Sequence, residues 1–315
     1  MTAAAGAIRA RMEAADWARL VLLSAIWGGS FLLTGVALEQ VQVLTLVAAR
    51  VAVAAMVLWA IALGQGRRVP ADPRAWGAFA VIGLFNNALP FSLIALGQTA
   101  LPAGLASILN ATTPLFTVLV GTLVLADERA GPARLAGVVL GLAGVAVMMG
   151  IERASGQARP LWAELSILGA ALCYAISGVY GRRFARLGVD PVVTAAGMVS
   201  AAAILLVPLA LAIDGLPHGI DALHIGVVAT LGAVCTGLAY MLYFGILARA
   251  GATNISLVTF LVPVWAVLLG AILLGEVPGP AQGIGMGLIA LGLALIDGRL
   301  LSGRIGRRRA PPPAA

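Results

Sequence analysis

The chain has 315 residues, 61% of them hydrophobic and only 10% charged, with a mean hydropathy of +1.02 and a net charge of +7 carried by arginine alone. Soluble domains carry roughly 25% charged residues, so a water-facing surface is excluded and an integral membrane protein is expected. The basic balance sits between apolar runs, which makes it a topology signal rather than the footprint of a nucleic-acid partner.

Met1–Asp16 is polar and precedes an apolar run too long for a signal-peptide core, so that run is expected to stay as a helix. A spanning helix needs roughly 20 apolar residues. Ten runs meet this, near 17–37, 43–63, 75–97, 103–125, 132–150, 161–181, 191–213, 223–247, 253–274 and 281–297. Turn-rich strings such as GQGRRVPADP, RLGVDP and GEVPGP separate them and leave no room for a soluble domain. The tail Arg304–Ala315 is basic and proline-rich and is expected to be disordered. With the N-terminus in the cytoplasm, 17 arginines fall inside and two, Arg153 and Arg159, outside. This bias predicts cytoplasmic tails at 1–16 and 298–315 and supports a count of ten.

Taken in order, the spans carry few polar groups, and those cost free energy in hydrocarbon unless they pair or face a cavity. The first span offers Trp27 and Ser30, and the second Arg50, the one arginine left over. The third has Asn87 and Phe91 on one face, with Asn86 beside them; the fourth places Ser107, Asn110 and Pro114 on one face. The fifth has a glycine face, Gly137, Gly141 and Gly144. The sixth offers Tyr174 and Ser177, and the eighth Thr236, Tyr240 and Tyr243. The ninth repeats the fourth with Ser256, Thr259 and Pro263, and the tenth repeats the fifth with Gly283, Gly287 and Gly292. The glycine faces suit close packing within the bundle or between subunits, so monomer and homodimer both stay open. Cys173 and Cys235 lie inside apolar runs and read as small buried hydrophobes.

The chain repeats itself. At an offset of 149 residues AGLASILNATTPLFTVLVGTLVL (103–125) aligns with ATNISLVTFLVPVWAVLLGAILL (252–274), matching Ser107 with Ser256, Pro114 with Pro263 and Gly121 with Gly270. Glu128 then matches Glu276, Gly137 and Gly144 match Gly285 and Gly292, and Trp27 and Ser30 match Tyr174 and Ser177. Each half holds five spans, an odd number, so the second half lies inverted relative to the first. Inverted repeats are the architecture of secondary transporters, with the substrate at the repeat interface near the midplane. The expected fold is an all-α integral membrane protein of ten helices in two inverted five-helix repeats, 17–150 and 161–297.

Trp27-Gly-x-Ser-Phe in the first span, an arginine early in the second, a mid-span proline and then Glu-x-x-Gly-Pro together resemble the EamA family of the drug/metabolite transporter superfamily. The resemblance covers nearly the whole chain, in two copies. It implies carriage of small metabolites, often amino acids outward, across the inner membrane. The chain departs from strict duplication at Arg50, whose partner in the seventh span is read as Gly197.

The polar faces predict a central cavity in which hydroxyls and amides hold a polar substrate while Trp27, Phe91, Tyr174, Tyr240 and Tyr243 pack its apolar part. The alternative for any one Ser or Thr is an ordinary interhelical hydrogen bond. Pro114 and Pro263 disturb the carbonyls of Asn110 and Thr259, one turn back, and are candidate hinges. Arg50 stands roughly 10 Å below one end of its helix. It can snorkel to the surface, pair with carbonyls or Glu39, or bind a substrate carboxylate or phosphate. No Asp or Glu lies mid-span, which argues against a buried proton relay and for facilitated or exchange transport, or coupling through a loop-proximal group. Glu128 and Glu276 are expected to fix the turn into the next span, with a gating role open. No catalytic constellation, metal cluster or cofactor motif is found, so an enzyme is disfavoured. A flippase for a lipid-linked substrate is the alternative to a metabolite carrier.

Overall fold

The computed structural model describes residues 12–125, 130–156 and 159–297, and every regular element in them is helical. Ten helices follow the expected runs: α1 Ala14–Ala37, α2 Val43–Gly64, α3 Pro73–Gln98, α4 Ala103–Val124, α5 Pro132–Ala154, α6 Leu161–Leu187, α7 Pro191–Ile213, α8 Ala222–Ala250, α9 Val258–Leu274 and α10 Pro280–Asp297. Among the described residues nine are long and apolar enough to cross a membrane, and α9 is a shorter tenth, preceded by a turn of helix at Ala252–Ile255. Glu128, the first eleven residues and 298–315 lie outside the described residues.

The turn strings act through end chemistry. Asp72, Asp190 and Asp221 each accept a backbone N–H at the start of the following helix, and prolines 73 and 191 sit where the first-turn N–H has no intrahelical partner. Gly188 closes α6 in the left-handed conformation, φ +62°, extending it past the expected 181. Leu123, Ile204 and Ile272 point outward and are exposed, as a lipid-facing surface requires.

The packing obeys the exchange of halves. Helices α5 and α10 pack on each other, as do α2 and α7; α1 on α9 is mirrored by α6 on α4. The first half of α3 lies on α7 and its second half on α6, while the two halves of α8 lie on α2 and α1. A Cβ on Gly137 would sit 2.5 Å from the Gly292 carbonyl oxygen, and one on Gly144 would sit 3.0 Å from that of Gly285. Gly137 and Gly144 are the sequence mates of Gly285 and Gly292, so early α5 meets late α10 and the reverse. That is antiparallel pairing about a pseudo-two-fold axis.

Two expectations change here. Gly283 and Gly287 have open space around them, and Gly285 takes their place in the contact because it lies on the face turned toward α5. Gly197 is not the spatial mate of Arg50. A Cβ on Gly232 would meet the Arg50 carbonyl oxygen at 2.7 Å; on its mate Gly83 it would meet that of Met198 at 2.4 Å. Met198 therefore occupies the Arg50 position in the second half, while Gly197 accommodates the Phe79 ring.

Helices α3 and α8 are each interrupted at mid-length by a π turn, Leu84–Ala88 and Ala233–Leu238, at matching places in the repeat. Pro90 follows the first, but Ala239 follows the second, so proline is not the shared cause. Both turns begin directly after Gly83 and Gly232, where α3 and α8 come closest to α7 and α2. Helix α4 is also broken, at Ala111–Thr112, and Pro114 sits in the first turn of its second half. The corresponding gap before α9 falls at Ser256–Leu257, and Pro263 lies inside an unbroken helix. At the sixth position of α9 its missing N–H affects only the first turn.

Gly292→Ala is expected to destabilise the bundle by about 1–3 kcal/mol through overpacking, lowering the thermal midpoint in detergent. Gly283→Ala, facing open space, is expected to leave it unchanged or slightly raised. Equal midpoints for the two variants would contradict the packing described.

Candidate functional site

A guanidinium 9% exposed lies at the centre of the interface between halves. Arg50 Nε donates to Thr236 Oγ1 at 2.9 Å, and the guanidinium carbon stands 4.0 Å from the centroid of the Phe91 ring. The Thr236 hydroxyl has one proton, which it donates to the Leu231 carbonyl five residues back, so its lone pair is free for Arg50. The π turn of α8 creates this geometry by presenting a carbonyl that a regular helix would have engaged. Arg50 is neither at the bundle surface nor paired with Glu39, which lies 3.8 Å from His224 Nε2 instead. Snorkelling and the Glu39 pair are thus replaced by a hydroxyl and an aromatic face. Among the described residues the two terminal nitrogens of Arg50 have no hydrogen-bond partner, yet they retain accessible surface.

The matching π turn in α3 builds the other side. Asn86 and Asn87 both donate through Nδ2 to the Tyr240 hydroxyl, at 3.0 and 2.8 Å. Ser177 donates to Asn86 Oδ1 at 3.2 Å. Asn87 is 0% exposed, and its Oδ1 is buried with no partner, as is that of Asn110. Trp27, Tyr243, Phe244 and Tyr240 form a continuous aromatic run with centroid spacings of 5.8, 5.3 and 6.3 Å. Tyr174 packs against two of the three core clusters and lies within electrostatic reach of Arg50.

The structure thus brings together Arg50, Phe91 and Thr236; Asn87, Tyr240 and Ser177; and Trp27 with Tyr243. Other candidates stand apart. The Ser30 hydroxyl donates to the Trp27 carbonyl of its own helix, at 2.7 Å. Ser107 likewise bonds the Gly104 carbonyl. Asn110 ends the first half of α4, its carbonyl accepting from the Thr113 hydroxyl at 2.8 Å, and Thr259 lies in the first turn of α9. Phe244 is the member that sequence reasoning left out, and Asn86 was read only as a neighbour of Asn87 and Phe91. Asn86 had a signal, being one of a pair of adjacent amides in an apolar span.

Polar side chains also tie the halves together at the bundle end that holds the α1–α2 turn. Gln40 exchanges hydrogen bonds with Asp221, and Asp214 accepts from the Thr45 backbone and hydroxyl. A cavity of about 130 Å³ lies between, lined by Gln42, Thr45, Asp214 and His218 among others. The backbone N–H of His224, and then its ring, hold the Asp221 carboxyl down at about 2, so it stays charged at any physiological pH. At the opposite end Asp16 is buried between Arg19 and Arg249, and Arg67 pairs with Asp190.

This geometry has relatives. The model of the EamA-like transporter family matches the chain twice, over residues 17–150 and 161–297. The "Uncharacterized inner membrane transporter YedA" of Escherichia coli (strain K12) is 28% identical over 281 residues, 88% of this chain and 89% of that protein. The "Probable terminal-alkyne amino-acid exporter" of Streptantibioticus cattleyicolor is 31% identical over 310 residues, 95% of this chain and 97% of that one. A solved structure described as "Crystal structure of protein" shares 25% identity with a TM-score of 0.66, covering 91% of this chain and 97% of its own. With both halves matched and relatives aligned almost end to end, the chain belongs to the EamA-like transporter family and is a membrane transporter.

Proposed function

We propose that the protein is a secondary transporter that exports a small carboxylate-bearing metabolite, an amino acid or a close relative, by alternating access. The observation that carries this is Arg50. Its Nε is satisfied and one face of its guanidinium is covered by Phe91, but its fork of terminal nitrogens has no hydrogen-bond partner among the described residues. A carboxylate is the planar anion that such a fork accepts through two parallel hydrogen bonds. The unpartnered Asn87 Oδ1 offers an acceptor for an amine, and the aromatic run from Trp27 to Tyr240 offers cover for an apolar remainder. The exporter of Streptantibioticus cattleyicolor handles an amino acid by its name, which fits the same chemistry.

In this reading residues 17–150 and 161–297 are the two moving halves, and the arginine bias places the start of α1 and both tails in the cytoplasm of a cell with an inner membrane. The break at Ala111–Thr112 serves as a hinge in α4. Pro114 keeps it open because, lacking an N–H, it cannot bond the Asn110 carbonyl.

Arg50→Lys replaces the fork with a point charge. Its affinity for a carboxylate substrate is expected to fall by about ten- to a hundredfold, as for loss of a hydrogen bond to a charged group, while expression is kept. Radiolabelled amino-acid flux in proteoliposomes measures this, and wild-type flux in the variant would remove Arg50 from the substrate site. Pro114→Ala restores an N–H at the break and is expected to slow transport severalfold without loss of folded protein. Undiminished flux would exclude the hinge.

A further inference from the structure

The exchange of halves holds for the main helix pairings but fails around α4 and its mate. At the end that bears the α1–α2 turn, the first half of α4 packs along α9. The mirror contact, residues 252–259 against the second half of α4, has no comparable counterpart among the described residues. Burial shows the same asymmetry. Ser107 is 1% exposed and Ala103–Leu109 are buried throughout, whereas Ser256, the repeat mate of Ser107, is exposed and Asn254 and Leu257 are half-buried.

A single carboxylate stands at the closed contact. Glu276 lies just beyond α9, held by Gly275 at φ +67° and by its own N–H on the Gly270 carbonyl, at 3.0 Å. Its side chain does not turn the chain into α10, as expected from sequence. It crosses to the other half, where Oε1 accepts from the Ala103 N–H at 3.0 Å and Oε2 from the Gly104 N–H at 3.2 Å. A Cβ on Gly270 would lie 2.7 Å from Oε2, so glycine there leaves the room the carboxylate occupies. An acid on the first N–H groups of a helix is favoured by hydrogen bonding and by the helix dipole together.

We propose that Glu276 is the latch of this end of the transporter. It holds the first half of α4 shut against α9, and the structure is a conformation closed at this contact. With the orientation set by the arginine bias, the latched end is the outer one. Release of the two N–H groups frees α4 to swing about the Ala111–Thr112 break and opens the outer face. The latch rests on the transport reading only in taking that swing as part of a transport cycle. Its test needs no substrate, so a wrong latch and a wrong substrate give separate results.

The test is the labelling rate of single cysteines by a polar maleimide in nanodiscs, with Cys173 and Cys235 replaced by alanine. Ser107→Cys is expected to label slowly and Ser256→Cys fast. Loss of the latch in Glu276→Gln is expected to raise the first rate by about fivefold, the effect of losing a helix cap on the minor state of a two-state equilibrium, and to leave the second unchanged or lower it. Gly270→Ala displaces the carboxylate while keeping its charge and is expected to act in the same direction. Unchanged rates in both variants, or a rise in both rates together, would overturn the latch. If one variant fails to fold, the other decides. Equal labelling of the two cysteines without any latch mutation would overturn the assignment of the closed end.

Discussion

A guanidinium inside an apolar bundle has to be solvated by the protein, and the centre of this molecule is organised around that requirement. A charge at mid-bilayer costs about 2.5–3.5 kcal/mol on insertion scales, and less nearer the end of a span, where Arg50 stands. Arg50 offsets this with a hydroxyl at its Nε and a ring against its face. The hydroxyl is in reach because Gly232 lets α8 approach the Arg50 backbone, and because the π turn that follows swings Thr236 toward it. Remove the glycine and the helices separate; remove the π turn and Thr236 faces elsewhere. The cation therefore depends on backbone geometry six helices away in sequence order from its own.

The same device occurs in the other half with different side chains. Gly83 brings α3 onto Met198, and the π turn after it presents Asn86, whose amide lies 4.0 Å from the Met198 sulfur. One architecture thus yields a charged pair on one side of the axis and a neutral one on the other. The consequence is a site with a polarity: a guanidinium on one side, and amide and phenol groups opposite it. A strictly symmetric duplication would place two cations across the axis, and their repulsion would add to the burial cost of each.

How much of this the sequence displays depends on the range of the cause. The ten spans, their caps and the polar faces follow from composition and from residues within one turn of each other, and Asp190-Pro191 or Gly188 read directly as helix ends. Trp27, Asn87, Tyr240 and Tyr243 were legible as polar and aromatic positions facing one cavity, but not that Trp27 would meet Tyr243 and Asn87 bond Tyr240. The π turns were not, because their shared origin is a tertiary crossing at Gly83 and Gly232. Nor was the face of α10: Gly283, Gly285 and Gly287 all suit close packing, and only the phase of the helix against α5 selects Gly285. Glu276 matches Glu128 in the repeat, which suggested a shared local task, but its partners lie in the opposite half.

The breaks in symmetry are where a two-state machine has to reside. If the halves packed identically, the two ends of the bundle would close equally well, and no end could be open while the other was shut. Here the first half of α4 is buried throughout Ala103–Leu109 while Ser256, the mate of Ser107, is exposed, an asymmetry that fits the proposed alternation between two related arrangements. Such arrangements exchange usefully only when they differ by a few kcal/mol or less. A carboxylate on two backbone N–H groups is of the right size for that task. It biases the closed end without anchoring it as a large apolar contact would. The apolar pairings of α5 on α10, built on glycine faces, and of α2 on α7 are larger than the α4–α9 contact. Under the proposed cycle, stability rests on those pairings and movement on α4.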